Sequence, residues 1–457
     1  MEIRVLAATG VLGAGFKAES LNRGIALKPT FIACDAGSTD SGPAYLGSGK
    51  PKLSREACAR DLRLLLKARD ALKVPLIIGS CGTSGRDVGV DWMALMAREL
   101  ASEERLHFKM ALIKSDQSKA YLKKRLAEHR IRPLFPAPPI SEQVIDSSHI
   151  VGMMGAEPIQ AALAAGADVV LAGRASDSAL YAAIPLTLGA DPGLSWHAAK
   201  TLECGAACAV VPAADCMFAT IRDGHFDIEP LDTNARCTPQ TIAAHTLYEN
   251  ANPFLLTEPS GVIDTEQAGY EARSERLVRV SGSRFRAATR YTVKLEGSQL
   301  LGYQTVVIGG VRDPYIIRAL DSLLPRARAF FDERIADLFP GQLTSKDYDI
   351  SYRIYGRDAV MGPLEPKRNS TPAHEVGVLI TITAPTQELA NKIATFVSHV
   401  SAHLPVPEYH GLISSLAYPF SPPELPRGAV YRFSLNHVVE PDDPYEMFRT
   451  ELLEIQP

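Results

Sequence analysis

Four short polar stretches each follow an apolar, strand-like run: GVLGAGF (10–16), CDAGSTD (34–40), GSCGTSGRD (79–87) and AGRASD (172–177). Every residue from Gly79 to Gly85 is Gly, Ser, Thr or Cys. Ser80, Cys81, Gly82, Thr83 and Ser84 could wrap a small anion or acid, because backbone N–H groups and hydroxyls approach closely where bulky side chains are missing. A generous strand-to-helix turn would use the same residues. Arg174 can grip a carboxylate through two parallel hydrogen bonds, and its other use is an ion pair with Asp177 that pins a helix start. Asp35, Asp40 and Asp177 carry carboxyl groups able to move a proton, with turn bonding or helix capping as the competing use of Asp35 and Asp40. Gly13, in the turn after the first run, is placed with the binding residues. Cys81 at a helix start would be a nucleophile with a lowered pKa, yet no His stands near it in sequence to act as its base.

Other patterns carry less. Gly10, Gly13 and Gly15 lack the G-x-G-x-x-G spacing of a dinucleotide turn, and no G-x-x-x-x-G-K-[ST] stretch occurs, so no nucleotide cofactor is expected. Cys204 and Cys208 could share a helix face, but no nearby Cys/His pair completes a zinc set. Glu203 and Cys204, in LECGAAC, read as packing residues of a helix. His374, Glu375 and His437 have no metal-binding spacing and are assigned structural roles. A divalent cation gathered by the aspartates suits their chemistry, although no spacing supports it.

These stretches need elements to present them. IRVLAAT, TFIACDAG, VPLIIG, HFKMALIK and ADVVLAG read as buried strands, and residues 54–73 have helical spacing behind a Ser N-cap candidate. HIVGMM and AEPIQAALAAG continue the alternation of strand and helix. Such alternation implies a mostly parallel, doubly wound sheet covered on both faces, with the four polar stretches opening at its carboxyl edge. Beyond about residue 210 the pattern changes. FATIRDGHFDIEPLD is a hairpin with an Asp-Gly turn. Later come the strands RYTVKLEG, LLGYQTVVIGG, YDISYRIYG and EVGVLITITA, with helices over 314–338 and TQELANKIATFVSHVSAHL. The expected organisation is an α/β domain over 1–212 that carries the site, a turn-rich connection over 213–290, and an α+β domain over 291–457.

The 457 residues are 46% hydrophobic and 22% charged, enough for more than one buried core. A formal net charge of −4 provides no electrostatic footprint for nucleic acid or for anionic lipid, so neither partner is expected. The region 156–190 is strongly apolar but holds Asp168, Arg174 and Asp177, and it reads as a buried α/β segment, not a membrane span. The opening MEIRVLAATG reads as a strand and not a leader, and seven cysteines without C-x-x-C suit a reducing compartment; a cytoplasmic location is expected.

GADVVLAGRASDSAL followed by ECGA, together with TIAAHTLYENANPFLLTEPSGVIDTEQAG, YGRDAVMGPLEP, HEVGVLITITAPTQELA and FSLNHVV, resembles the acyclic terpene utilisation AtuA family over most of the chain. GSCGTSG departs from that family's NAGG-like loop by having Ser80 and Cys81. The resemblance implies catabolism of small organic acids or their CoA thioesters. The residues and the resemblance together lead to an expected lyase of the hydratase or dehydratase kind, acting on a small-molecule carboxylate or acyl-CoA. The competing expectation is a ligand-binding or scaffold subunit that positions such a molecule for a partner enzyme, with homo-oligomer or partner-subunit assembly left open.

Overall fold

The computed structural model describes all residues except 248, 249, 251, 369–372 and 407–414. The chain divides into two units, Met1–Gln299 with Phe433–Pro457, and Leu300–Arg432. Among the described residues, no helix is long and apolar enough to cross a membrane.

The first unit is built on a sheet of ten strands, numbered here in chain order: β1 (Glu2–Ala7), β2 (Phe31–Asp35), β3 (Leu76–Gly79), β4 (Phe108–Lys114), β5 (Val169–Ala172), β6 (Met217–Arg222), β7 (His225–Pro230), β8 (Gly269–Ala272), β9 (Val278–Ser281) and β10 (Arg449–Ile455). Their spatial order is β8-β9-β7-β6-β1-β2-β3-β5-β4-β10. The five central strands, β1-β2-β3-β5-β4, are parallel. Antiparallel strands extend both edges, including the β6–β7 hairpin, whose turn is Asp223-Gly224.

Both faces of the parallel core are apolar, so helices cover both. Leu6, Ile32, Ile78 and Leu171 pack with residues of the helices Arg55–Leu72 and Asp87–Glu104. Val5, Ala33, Ile77 and Val170 pack on the opposite side with Ile159, Leu180 and Trp196, from the helices Ala156–Ala164, Ala179–Thr187 and Pro192–Leu202. The helix Arg55–Leu72 starts at Ser54, whose hydroxyl accepts from the Ala57 N–H, as its N-cap pattern predicts.

Strand order reverses at β5, which lies between β3 and β4. The chain leaving β3 therefore enters a helix on one face, and the chain leaving β5 enters a helix on the other. A doubly wound sheet opens a crevice at its carboxyl edge where such connections diverge.

HIVGMM is a strand, Ser148–Met153, but it is not in this sheet. It pairs antiparallel with residues 294–299 of the strand Val293–Val311. A short apolar run specifies a strand without specifying its partner. RYTVKLEG and LLGYQTVVIGG likewise belong to one strand, Val293–Val311, and not two.

In the second unit, strands Asp349–Tyr355, Val376–Ala384 and the later residues of Val293–Val311 pair antiparallel. Val376, Val378, Ile380, Ile382 and Ala384 alternate inward against Leu320, Leu323, Phe331 and Ile335 of the helix Pro314–Leu338 and Ile393 and Val397 of the helix Gln387–Ala402. This is the α+β pattern expected for the later part of the chain.

Candidate functional site

A cavity of about 390 Å³ opens in the first unit, lined at its base by Arg174 and Asp177 just past the carboxyl end of β5. Charged groups from four other segments face it: Asp40 from the turn Thr39–Ser41, Lys200 and Glu203 from the end of the helix Pro192–Leu202, Glu258 from the strand Leu255–Glu258, and Lys294 with Glu296 from the strand Val293–Val311. Met154 explains how a strand outside the main sheet reaches the site. Its N–H donates to the Arg174 carbonyl at 3.0 Å, and its own carbonyl accepts from Ser176 N at 2.8 Å. Ser148–Met153 is thereby docked on the β5 loop, and its partner strand brings Lys294 and Glu296 alongside.

Arg174 is the hub, with only 5% of its surface exposed. Its Nε donates to Glu296 Oε2 at 2.7 Å, and its Nη1 to Asp177 Oδ1 at 2.9 Å and Ser80 Oγ at 3.3 Å. Nη2 donates to none of the described residues. One corner of this buried, cavity-lining guanidinium is thus without a bond to the described residues. Glu296 is held ionised: burial opposes its charge, but Arg174 and Lys294, the latter at 3.0 Å, together lower its pKa to about 2.

The wall formed by Glu203 and Glu258 behaves differently. Burial raises Glu203 to about 7, opposed by Lys200, which bonds one carboxylate oxygen, and assisted by Asp177. Ser178 Oγ donates to its other oxygen at 2.6 Å. Burial raises Glu258 to about 8; Ser176 Oγ donates to it at 2.6 Å, and the charge of Glu203 adds to the rise. Burial thus brings both carboxyls of this wall into the range where a carboxyl can exchange a proton near neutral pH. Asp35 lies behind Asp177, buried, and its pKa is pushed far above the carboxylate range by burial and then by the Asp177 charge.

The expected residues are distributed as follows. The bends near 12, 38, 82 and 175 do stand side by side: Leu12 N bonds the Asp35 carbonyl, Ala36 N the Gly79 carbonyl, and Arg174 N the Gly85 carbonyl. Arg174, Asp177 and Asp40 line the cavity, Asp40 at an exposed position. Ser80 touches it through Arg174. Cys81, Gly82, Thr83 and Ser84 are not in its lining. Thr83 Oγ1 accepts from Lys52 N at 2.9 Å, and Ser84 Oγ donates to the Tyr45 carbonyl at 3.3 Å, so their hydroxyls serve the loop itself. The Cys81 thiol is fully buried against the Ile78 carbonyl, and burial raises its pKa well above that of a free thiol. Gly13 is likewise outside the lining; its N–H and that of Gly15 donate to Asp61 Oδ2.

In the sequence Glu203 reads as part of a packed helix, and Lys200, Glu258, Lys294 and Glu296 stand in no recognisable motif. One signal was available. Pro192–Leu202 is buried around its whole circumference, and Lys200 three residues before Glu203 is an ion pair placed on one face of such a helix. Lys294 and Glu296, two apart on a strand, also share a face. Nothing local marks Glu258. Among the described residues no group of three or more His, Cys, Asp or Glu side chains is disposed to hold a metal ion.

Fold and cavity define a doubly wound α/β protein with a cavity lined by charged residues at the carboxyl edge of its sheet. Residues 82–209 and 212–418, well over half of the chain, match the family model described as acyclic terpene utilisation family protein AtuA, and the chain belongs to that family. Comparison with curated proteins and with solved structures finds no significant match.

Proposed function

We propose that this protein is an enzyme of small-organic-acid catabolism, a lyase of the hydratase or dehydratase type that moves a proton next to a carboxylate. The observation that carries the reading is that buried Arg174, whose Nη2 bonds none of the described residues, shares one cavity with two carboxyls whose pKa values burial raises to about 7 and about 8. The substrate carboxylate binds that corner, where Arg174 also disperses the negative charge that develops toward an enolate-like state. Glu203, as carboxylate, removes the proton from the carbon beside the carboxylate. The C–O bond of the neighbouring hydroxyl breaks with its electron pair on oxygen, Glu258 donates its proton there, and water leaves as the double bond forms. Hydration is the same path reversed. Asp177 keeps the guanidinium aimed, Asp35 stays protonated behind it, and Asp40 stands at the rim. Ser80 acts through Arg174 as a positioning residue.

The test is turnover of hydroxy and unsaturated acids by the isolated chain, followed by the ultraviolet absorbance of the conjugated double bond. The reading expects activity without a second subunit and its loss in both Arg174→Ala and Asp177→Asn. Turnover unchanged in both variants puts the site elsewhere, and activity only with an added partner protein favours the scaffold reading.

A further inference from the structure

The distribution of charge around the cavity limits what the site can hold. Three cations line it among the described residues, and each already has an acidic partner. Lys200 is bonded to Glu203, and Lys294 to Glu296. Arg174 serves Glu296 and Asp177 and keeps only Nη2 for a ligand. Apart from the neutral amide of Asn250, the rest of the polar lining is acidic or hydroxylic, and Glu258 and Asp40 form no ion pair among the described residues. A first carboxylate therefore meets one open guanidinium corner. A second would lie among carboxyl groups and meet only Lys200 and Lys294, each already paired with a glutamate, and an anion desolvated without a free cation is disfavoured.

The same inventory separates a free acid from its thioester. A thioester has no carboxylate to engage Nη2, and a desolvated guanidinium edge left facing a neutral carbonyl forgoes the charge-assisted bond that a carboxylate makes. The cavity volume of about 390 Å³ is in the range of small-ligand sites. The uncharged end of the ligand faces Glu203, Glu258 and the serines bonded to them, which can exchange hydrogen bonds with a hydroxyl.

We infer that the ligand of this cavity is a free hydroxy acid with a single carboxylate, bound end-on to Arg174, and neither a di- or tricarboxylate nor a CoA thioester. This deepens the proposed function and rests on it for the location of the site. Calorimetric titration of the unmodified full chain tests it, with 3-hydroxybutyrate and 3-hydroxyhexanoate as probes. Malate adds a second carboxylate, 3-hydroxybutyramide removes the only one, and 3-hydroxybutyryl-CoA masks it.

The expected result is binding of the monocarboxylates at least about tenfold tighter than malate, with no heat from the amide or the thioester. Arg174→Lys keeps the charge beside Glu296 but removes the spare corner, and it should weaken the monocarboxylates about tenfold or more. Malate binding as tightly as the monocarboxylates would overturn the inference and leave the acid-binding site standing. Thioester binding without acid binding would also overturn it, in favour of an acyl-CoA ligand. If none of the probes binds, both the inference and the proposed site fail.

Discussion

Glu258 and Glu203 are both buried carboxyls with raised pKa values, yet their surroundings give their variants opposite outcomes. A carboxyl raised from the ordinary 4.5 to about 8, as Glu258 is, binds a proton in the folded chain that the unfolded chain has released over that interval. Stability is therefore full below the ordinary value and falls as pH rises toward about 8. Glu258→Gln keeps the shape without the charge, so it should flatten this fall and make the protein more stable than its parent at about pH 9, by on the order of 2 kcal/mol. Glu203→Gln should not gain in the same way. It strips buried Lys200 of its partner, an uncompensated charge that costs roughly 3 kcal/mol or more. Denaturant unfolding of the two variants and the parent at about pH 6 and pH 9 checks both signs.

The bend between β3 and the helix Asp87–Glu104 works by holding the bend after β5. Gly85 has φ +69°, and a Cβ there would lie 2.2 Å from Arg174 N and 2.4 Å from Arg174 Cα. Gly85→Ala must therefore push the Arg174 segment away from β3. Gly189 has a similar φ of +80° but open space around it. Its alanine variant should cost only the left-handed backbone penalty, roughly 1 kcal/mol, whereas Gly85→Ala should lose several times that together with acid binding. Thermal unfolding and titration of both variants decide it. At this scale the sequence was a good guide to the parallel core, because buried strands between amphipathic helices leave a strong apolar pattern. It was a poorer guide where a glycine looked like a strand end. Gly297 lies inside the strand Val293–Val311, where a Cβ would meet Leu435 Cδ1 at 2.3 Å. Its small size serves the close approach of a neighbouring strand, which no local pattern reveals.

Across the whole molecule, Arg174, Asp177 and Asp40 were legible because each follows a strand whose carboxyl end the topology fixes. Lys200, Glu203, Glu258, Lys294 and Glu296 reach the same cavity from segments up to about 120 residues further along the chain, as the Arg174–Glu296 bond illustrates. Only the packing of several layers brings them together. The crowded loop Ser80–Ser84 presented the opposite problem: its small residues suit a ligand cradle and a tightly packed turn equally well, and here they pack against the Arg174 segment. The central claim is that one carboxylate sits on the open corner of Arg174 while Glu203 faces the adjacent carbon. A crystal structure of the full chain with 3-hydroxybutyrate tests this most directly. The account predicts the ligand carboxylate about 3 Å from Arg174 Nη2, with its hydroxyl-bearing end toward Glu203 and Glu258. A ligand bound with its carboxylate turned away from Arg174, or lodged outside this cavity, would contradict it.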